Sequence, residues 1–330
     1  MRTQDVRSML RKMLGSFLLS ILVISSLMTI INGEVDANQI QDIDTQANKD
    51  WTIMVYLDAD NNLEGQGVDD FLEMAEVGSD SNVNIVVQMD RIGWSDLYDH
   101  YISLGYSSSE ASYEANMADD DRYGDWTTTK RFLVDQYDTP ISSNAISDIG
   151  EQDMGDPDTL YSFIAWSLTN YPADRYGLIL WDHGDQWNGV CSDDTDNGNL
   201  LNMSELDEVF YNLTIIKGFH MDFIGFDACL MASAEVAYQM WGYADYMIAS
   251  EMTEPGQGWI YNWSFGALAS NPDMSTEKVC KVIVDDYVES YETIYSAYQN
   301  DVTLSVVNFT SDFYSGIYAV YNFTYELYNN

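Results

Sequence analysis

Short apolar runs of strand length recur along this chain, each separated from the next by a stretch patterned for a helix, and that alternation leaves few folds open. The first run, Thr52-Ile53-Met54-Val55-Tyr56-Leu57, is closed by Asp58-Ala59-Asp60-Asn61-Asn62. It reads as a strand buried on both faces that runs into a loop. Val68, Phe71, Leu72 and Ala75 then repeat at helical spacing, and Val83 to Met89 is a second β-branched run. A strand, a helix and a strand joined at this length predict parallel pairing with a right-handed crossover.

The pattern returns from Asp158, where Leu160, Phe163, Ile164 and Leu168 share a helical face and Pro172 lies beyond the end. The strand Gly177 to Trp181 follows, then a Gly/Asp/Asn loop. The next helix is opened by Ser204 as N-cap and carries Leu206, Val209, Phe210 and Leu213 inward. Asp222 to Phe226, Tyr246 to Ala249 and Thr303 to Phe309 read as further strands, with helices around Val236 and from Thr276. The expectation is an α/β fold with a mainly parallel central sheet and helices on both faces. Residues 91 to 150 break the rhythm. Trp94, Tyr98, Tyr101 and Tyr106 stand among polar residues and read as hairpins, with Phe132-Leu133-Val134 as an edge strand.

The chain has 330 residues, 46% of them hydrophobic, enough for one large domain. Its formal charge of −41, from 54 acidic against 13 basic residues, argues against nucleic acid as a partner, because phosphate binding needs a basic surface. A solvated acidic surface is the ordinary reading of that excess, and attraction of a cationic substrate is the other. Arg2, Arg7, Arg11 and Lys12 precede an apolar stretch from Phe17 to Ile31. Residues 1–33 read as a secretory signal, with an uncleaved membrane anchor as the alternative, and 34–50 as a polar linker. Asn202, Asn212, Asn262, Asn308 and Asn322 stand in glycosylation triplets, which suits export but adds little weight.

Chemistry is expected at the carboxyl ends of the strands, where an open α/β sheet gathers side chains into one crevice. Trp181-Asp182-His183-Gly184 and Phe226-Asp227-Ala228-Cys229 each end an apolar run, and the interval between them holds one loop, one helix and one strand. His183 and Cys229 are therefore expected on neighbouring strands. A thiol nucleophile needs an acid or base and donors for an oxyanion. Cys229 would attack a carbonyl, and His183 would protonate the leaving amine and later activate water. Gly184 and the N–H of Cys229, placed at the start of the following helix, would supply the donors. The plain alternatives are a strand-end histidine and a buried cysteine filler. Of the three cysteines, Cys280 reads as core, while Cys191 competes as nucleophile in an acidic setting that would raise its pKa. No cysteine or histidine spacing suggests a zinc site.

Four ordered stretches together resemble the clostripain family of cysteine peptidases, peptidase family C11. They are Trp51 to Leu63, Trp181-Asp182-His183-Gly184 with Trp187, Gly189 and Asp193-Asp194-Thr195, Phe226 to Met231, and Ala249-Ser250-Glu251 with Glu254-Pro255-Gly256-Gln257-Gly258-Trp259. The resemblance runs from about residue 51 to at least 310. It implies a caspase-like three-layer sandwich over 51–330, a Cys229/His183 dyad in place of a triad, and cleavage after arginine or lysine in peptide or protein substrates; with the signal reading of residues 1–33, the expectation is a secreted cysteine endopeptidase. Asp227 matches an acid of the pocket for the basic side chain, which has independent physical sense because a buried carboxylate pairs with a guanidinium or ammonium. Glu251 and Glu254 are further pocket candidates, with Glu254 preferred because it lies past the strand end.

Family members are often activated by self-cleavage after a basic residue between the histidine and cysteine motifs. Here that interval holds only Lys217, so a single chain, or activation elsewhere, is expected. No cofactor is required for the chemistry. Calcium is associated with some members, and Asp193, Asp194, Asp196 and Asn197 offer hard oxygens, although Ser204 stands where a twelfth-position acid would be needed. Two other readings stay open: a non-catalytic binding protein that keeps the fold, and a peptidase with another preference, such as asparaginyl. The last residues show no clear terminal element, which suits a further C-terminal part.

Overall fold

The computed structural model describes residues 48–329, so the signal or anchor reading and most of the linker lie outside the described residues. Ten strands run through it: β1 (Lys49–Ala59), β2 (Val83–Arg91), β3 (Lys130–Leu133), β4 (Ser147–Asp148), β5 (Ala173–Trp181), β6 (Val190–Asp193), β7 (Asn199–Leu201), β8 (Met221–Asp227), β9 (Ala244–Ala249) and β10 (Ser305–Asn308). Eight form one sheet in the order β10-β9-β8-β5-β1-β2-β3-β4, and β6 with β7 forms a separate hairpin in the Gly/Asp/Asn loop. The five inner strands, β9 to β2 in that order, pair in parallel, while β10, β3 and β4 are antiparallel additions.

The apolar runs are buried on both faces because alternate residues feed two cores. Ile53, Val55 and Leu57 of β1 join one cluster, and Met54 and Tyr56 join the other. The first core is roofed by α1 (Glu64–Val77), α7 (Tyr261–Ser270) and α8 (Thr276–Thr293), through residues such as Phe71, Phe265 and Ile283. The second is covered by α4 (Pro157–Asn170), α5 (Met203–Tyr211) and α6 (Ala234–Met240), through Phe163, Phe210 and Val236. Each such side chain contributes about 1.5–3 kcal/mol when fully buried. The result is the expected three-layer sandwich. A final helix, α9 (Ser311–Asn329), follows β10. Among the described residues no helix is long and apolar enough to cross a membrane.

The structure corrects several local expectations. Residues 94–118 are not hairpins but two helices, α2 (Trp94–Ser103) and α3 (Ser108–Ala118). Trp94, Leu97, Tyr98 and Tyr101 have helical spacing, Trp94 stacks on Tyr98 at 5.3 Å, and Ser107 with Glu110 forms a reciprocal capping box for α3. The strand read at Phe132 exists, but the two-residue β4 covers its outer edge. Asn202, not Ser204, caps α5, since its side chain accepts the N–H groups of Ser204 and Glu205. The polar segment ends early, because Lys49 and Asp50 already belong to β1.

Candidate active site

β5 and β8 are neighbours, with Trp181 paired to Asp227. His183 and Cys229 stand two residues past that pair, so the sheet register itself delivers them to equivalent places at its carboxyl edge. Both line one cavity of about 180 Å³, together with Leu63, Asp227 and Glu254. The cavity lies at the carboxyl ends of β5 and β8, with Leu63 contributed by the segment that follows β1.

Cys229 is half-buried and lies in a turn, not at a helix start. Helix α6 begins only at Ala234, with Ser233 as its cap, which corrects the expected setting of the thiol. Leu230 follows at a φ of 68°, a left-handed conformation held by its N–H donating to Met252 O at 2.9 Å. The backbone N–H of Glu254 donates to Cys229 Sγ at 3.2 Å. An amide donor therefore stands against the sulfur.

His183 Nε2 lies 2.8 Å from Asn62 Oδ1, which fixes a proton on Nε2 and leaves Nδ1 as the basic nitrogen. Burial pulls the imidazole below its ordinary value, so it is neutral at neutral pH. The residue before it, Asp182, is fully tied down. Its carboxylate accepts Asn61 Nδ2 at 2.7 Å and the N–H of Ser192, and its own N–H donates to Asp227 O.

Gly184 is required by close approach. A Cβ there would come within 2.3 Å of Cys229 O. It also bridges Val190 through hydrogen bonds from Asp185 to Gly189 and from Cys191 to His183, so its own N–H is not used by the bridge. Cys191 lies in β6 away from the cavity. Burial pushes its thiol well up, and Asp58 and Asp182 add to the rise. Cys280 is buried in α8.

Below the cysteine the cavity is acidic. Asp227 Oδ2 accepts the N–H of Trp259 at 3.1 Å and Tyr261 Oη at 2.7 Å, and burial raises its carboxyl to about 6. Both oxygens of Glu254 are shut from solvent without a hydrogen-bond partner, and burial followed by the Asp227 charge holds this acid well above the usual range. Glu251 is exposed and does not line the cavity. A third acid, Asp70 of α1, accepts Trp181 Nε1 at 2.6 Å, and burial and then Asp227 raise its pKa. Gly258, at a φ of 54°, lets these acids converge, since a Cβ there would lie 3.1 Å from both Asp227 oxygens and from Asp70 Oδ2. None of the ion pairs among the described residues reaches them.

Asn62 and Asp70 are the site residues that sequence reasoning missed. Asp70 had a signal: it interrupts the buried stripe of Val68 and Phe71 with a charge. Asn62 had none, because a Gly/Asn/Asp-type strand end is ordinary loop chemistry. In the acidic loop after β5, which reads as solvated with calcium as a hypothesis, Asp193 points into the fold toward Asp60, Asp90 and Glu151, whereas Asp194 lies 3.3 Å from His100 Nδ1.

A three-layer sandwich with a cysteine and a histidine on adjacent parallel strand ends defines the caspase-like cysteine peptidase fold. Residues 55–313 match the model of the clostripain family, peptidase C11, and the chain belongs to that family. It is 30% identical over 299 residues to clostripain of Hathewaya histolytica, across 82% of this chain and 54% of that protein. A secreted C11 cysteine protease from Bacteroides thetaiotaomicron, solved with an irreversible peptide inhibitor, superimposes with a TM-score of 0.58 at 26% identity, covering 79% of this chain and 66% of that one. The fold is shared with an inactive zymogen C11 protease from Parabacteroides distasonis at a TM-score of 0.55 and 24% identity, over 79% and 62% of the two chains. The chain thus spans about half the length of the clostripain it matches.

Proposed function

We propose that this protein is a cysteine endopeptidase that cleaves after arginine or lysine, with Cys229 as nucleophile and His183 as general acid and base. The observation that carries the reading is the shared cavity, in which a thiol and a neutral imidazole sit with carboxylates that no lysine or arginine among the described residues neutralises. A substrate guanidinium or ammonium is the natural counter-ion for Asp227 and Glu254, and a neutral or acidic side chain would leave them unpaired. Family membership supports the same chemistry.

In the reaction the thiol proton passes to His183 Nδ1 and Sγ bonds to the scissile carbonyl carbon. The oxyanion takes hydrogen bonds from the N–H groups of Gly184 and Cys229. Collapse breaks the C–N bond as His183 returns its proton to the leaving amine, which leaves a thioester. Water, deprotonated by His183, then attacks the thioester, and the thiol departs with that proton. Residues 1–33 acting as an export signal would place the enzyme outside the cell, or on its membrane if uncleaved.

The test is hydrolysis of matched peptides with Arg, Lys, Asn or Asp before the scissile bond, with Cys229→Ala as control. Arg and Lys peptides are expected to be cleaved at least tenfold faster than the others. Equal rates across the panel contradict the acidic pocket, and activity in the alanine variant contradicts the nucleophile.

A further inference from the structure

Alternation along β3 divides Lys130-Arg131-Phe132-Leu133 between the two faces of the sheet. Phe132 enters the first core and Leu133 packs on the second, so Arg131 shares the face that α4 covers. Its guanidinium lies 5.0 Å from the ring centroid of Trp166 in that helix. Three basic side chains are buried among the described residues: Arg91, Lys130 and Arg131. Arg91 has Glu64 and Lys130 has Asp148, but no carboxylate stands within ion-pair distance of Arg131. A buried charge is ordinarily paired, and this one is unpaired in a chain with 54 acidic residues.

Neutral groups answer part of the guanidinium. Nε donates to Gln88 Oε1 at 2.8 Å and Nη2 to Ser162 Oγ at 3.0 Å, while Nη1 has no hydrogen-bond partner among the described residues. Burial lowers the pKa of the group, with the Tyr56 hydroxyl opposing the fall. The side chain lines a cavity of about 260 Å³ together with Gln152, Asp156, Asp158, Thr159 and Ser162, none of which belongs to the cavity of Cys229 and His183. Charges of both signs therefore face this space, one guanidinium and two carboxylates, held more than 4.0 Å apart. Asp156 is half-buried and accepts the N–H of Asp158 at 2.7 Å, and Asp158 is exposed.

We propose that this cavity binds a short zwitterionic peptide, with its carboxylate on Arg131 and its ammonium toward Asp156 and Asp158. Nη1 and the remaining hydrogen of Nη2 present an end-on fork, which a carboxylate matches with two parallel hydrogen bonds. A phosphate dianion would bring its second charge toward the two aspartates. Two residues of extended chain span about 7 Å, enough to bridge charges that do not meet directly. Short peptides are also what a peptidase releases, whichever side chain it cleaves after.

The experiment titrates L-alanyl-L-alanine into the full chain carrying Cys229→Ala and follows the heat, so that the probe is not hydrolysed. One molecule is expected to bind per chain. The C-terminal amide of the dipeptide should bind at least tenfold more weakly, because it cannot pair with the guanidinium. The N-acetyl form should lose about threefold, since the aspartates it no longer pairs are partly in solvent. Arg131→Gln should weaken the dipeptide at least tenfold and Asp158→Asn about threefold. The exposed position keeps the test open should the buried variant fail to fold. Equal affinity for the dipeptide and its amide, tighter binding of inorganic phosphate than of the dipeptide, or parental affinity in every variant that folds would overturn the proposal. Absence of saturable heat up to about 10 mM would do the same.

Discussion

Asn62→Ala isolates one contact, the 2.8 Å hydrogen bond between Asn62 Oδ1 and His183 Nε2. Asn62 is exposed, so its truncation should leave stability within about 0.5 kcal/mol. The effect should fall on the reaction. In the proposed reaction His183 becomes an imidazolium on taking the thiol proton, and its hydrogen bond to Asn62 then becomes charge-assisted, worth about 1.5–3 kcal/mol. Losing that in the transition state corresponds to a fall in kcat of roughly 10- to 150-fold. KM should be unchanged, since Asn62 does not line the cavity. Steady-state kinetics on an arginyl peptide across pH give both numbers. Asn62→Asp supplies the discriminating control: a carboxylate against Nε2 favours the imidazolium, so the acid limb of the profile should move to higher pH while much of kcat returns. Parental kcat in the alanine variant, with an unmoved profile in the aspartate variant, would refute the positioning role and the assignment of Nδ1 as base.

Two more outcomes follow from the site. Gly184→Ala must displace the Cys229 carbonyl, which its Cβ would approach to 2.3 Å; a loss of about 1–3 kcal/mol in stability and a larger loss in activity are expected from melting and turnover, and a variant that matches its parent in both removes the close-approach argument. The acidic floor should make KM pH-dependent: Asp227, raised to about 6 by burial, binds a cation only when ionised, so KM for an arginyl peptide should climb as pH falls through 6, by up to about tenfold per unit, and a constant KM from pH 7 to 5 would contradict that pairing.

What could be read from the residues was what depends on strand periodicity. Runs such as Thr52–Leu57 are apolar at every position because both faces are covered, and that alone set the parallel core and the adjacency of His183 and Cys229. The region at 94–118 was misread because its helices bury little: only Ile92, Leu97, Ala115 and Ala118 form a small separate core, so the apolar stripe is too thin to announce its period. The start of α6 was misplaced for another reason. Residues 230–233 are pinned by hydrogen bonds to Met252 and Ser250, a tertiary contact without local signature. Glu254 could be nominated from its place after β9, but the approach of Asp70 to Asp227 depends on a helix distant in sequence packing over the sheet.

The position of β1 in the strand order also bears on how the chain is made. β1 pairs with β2 soon after both are synthesised, yet its other edge waits for β5, whose pairing joins Lys49 to Ala173. At about 5–20 residues per second, the intervening stretch of roughly 120 residues takes on the order of 6–25 s to emerge. For that time a strand apolar on both faces presents an open edge, the configuration most prone to pair with another chain. Expression that outpaces chaperone capacity should therefore yield aggregates seeded by Trp51–Leu57, and slowed translation ahead of residue 173 should worsen them.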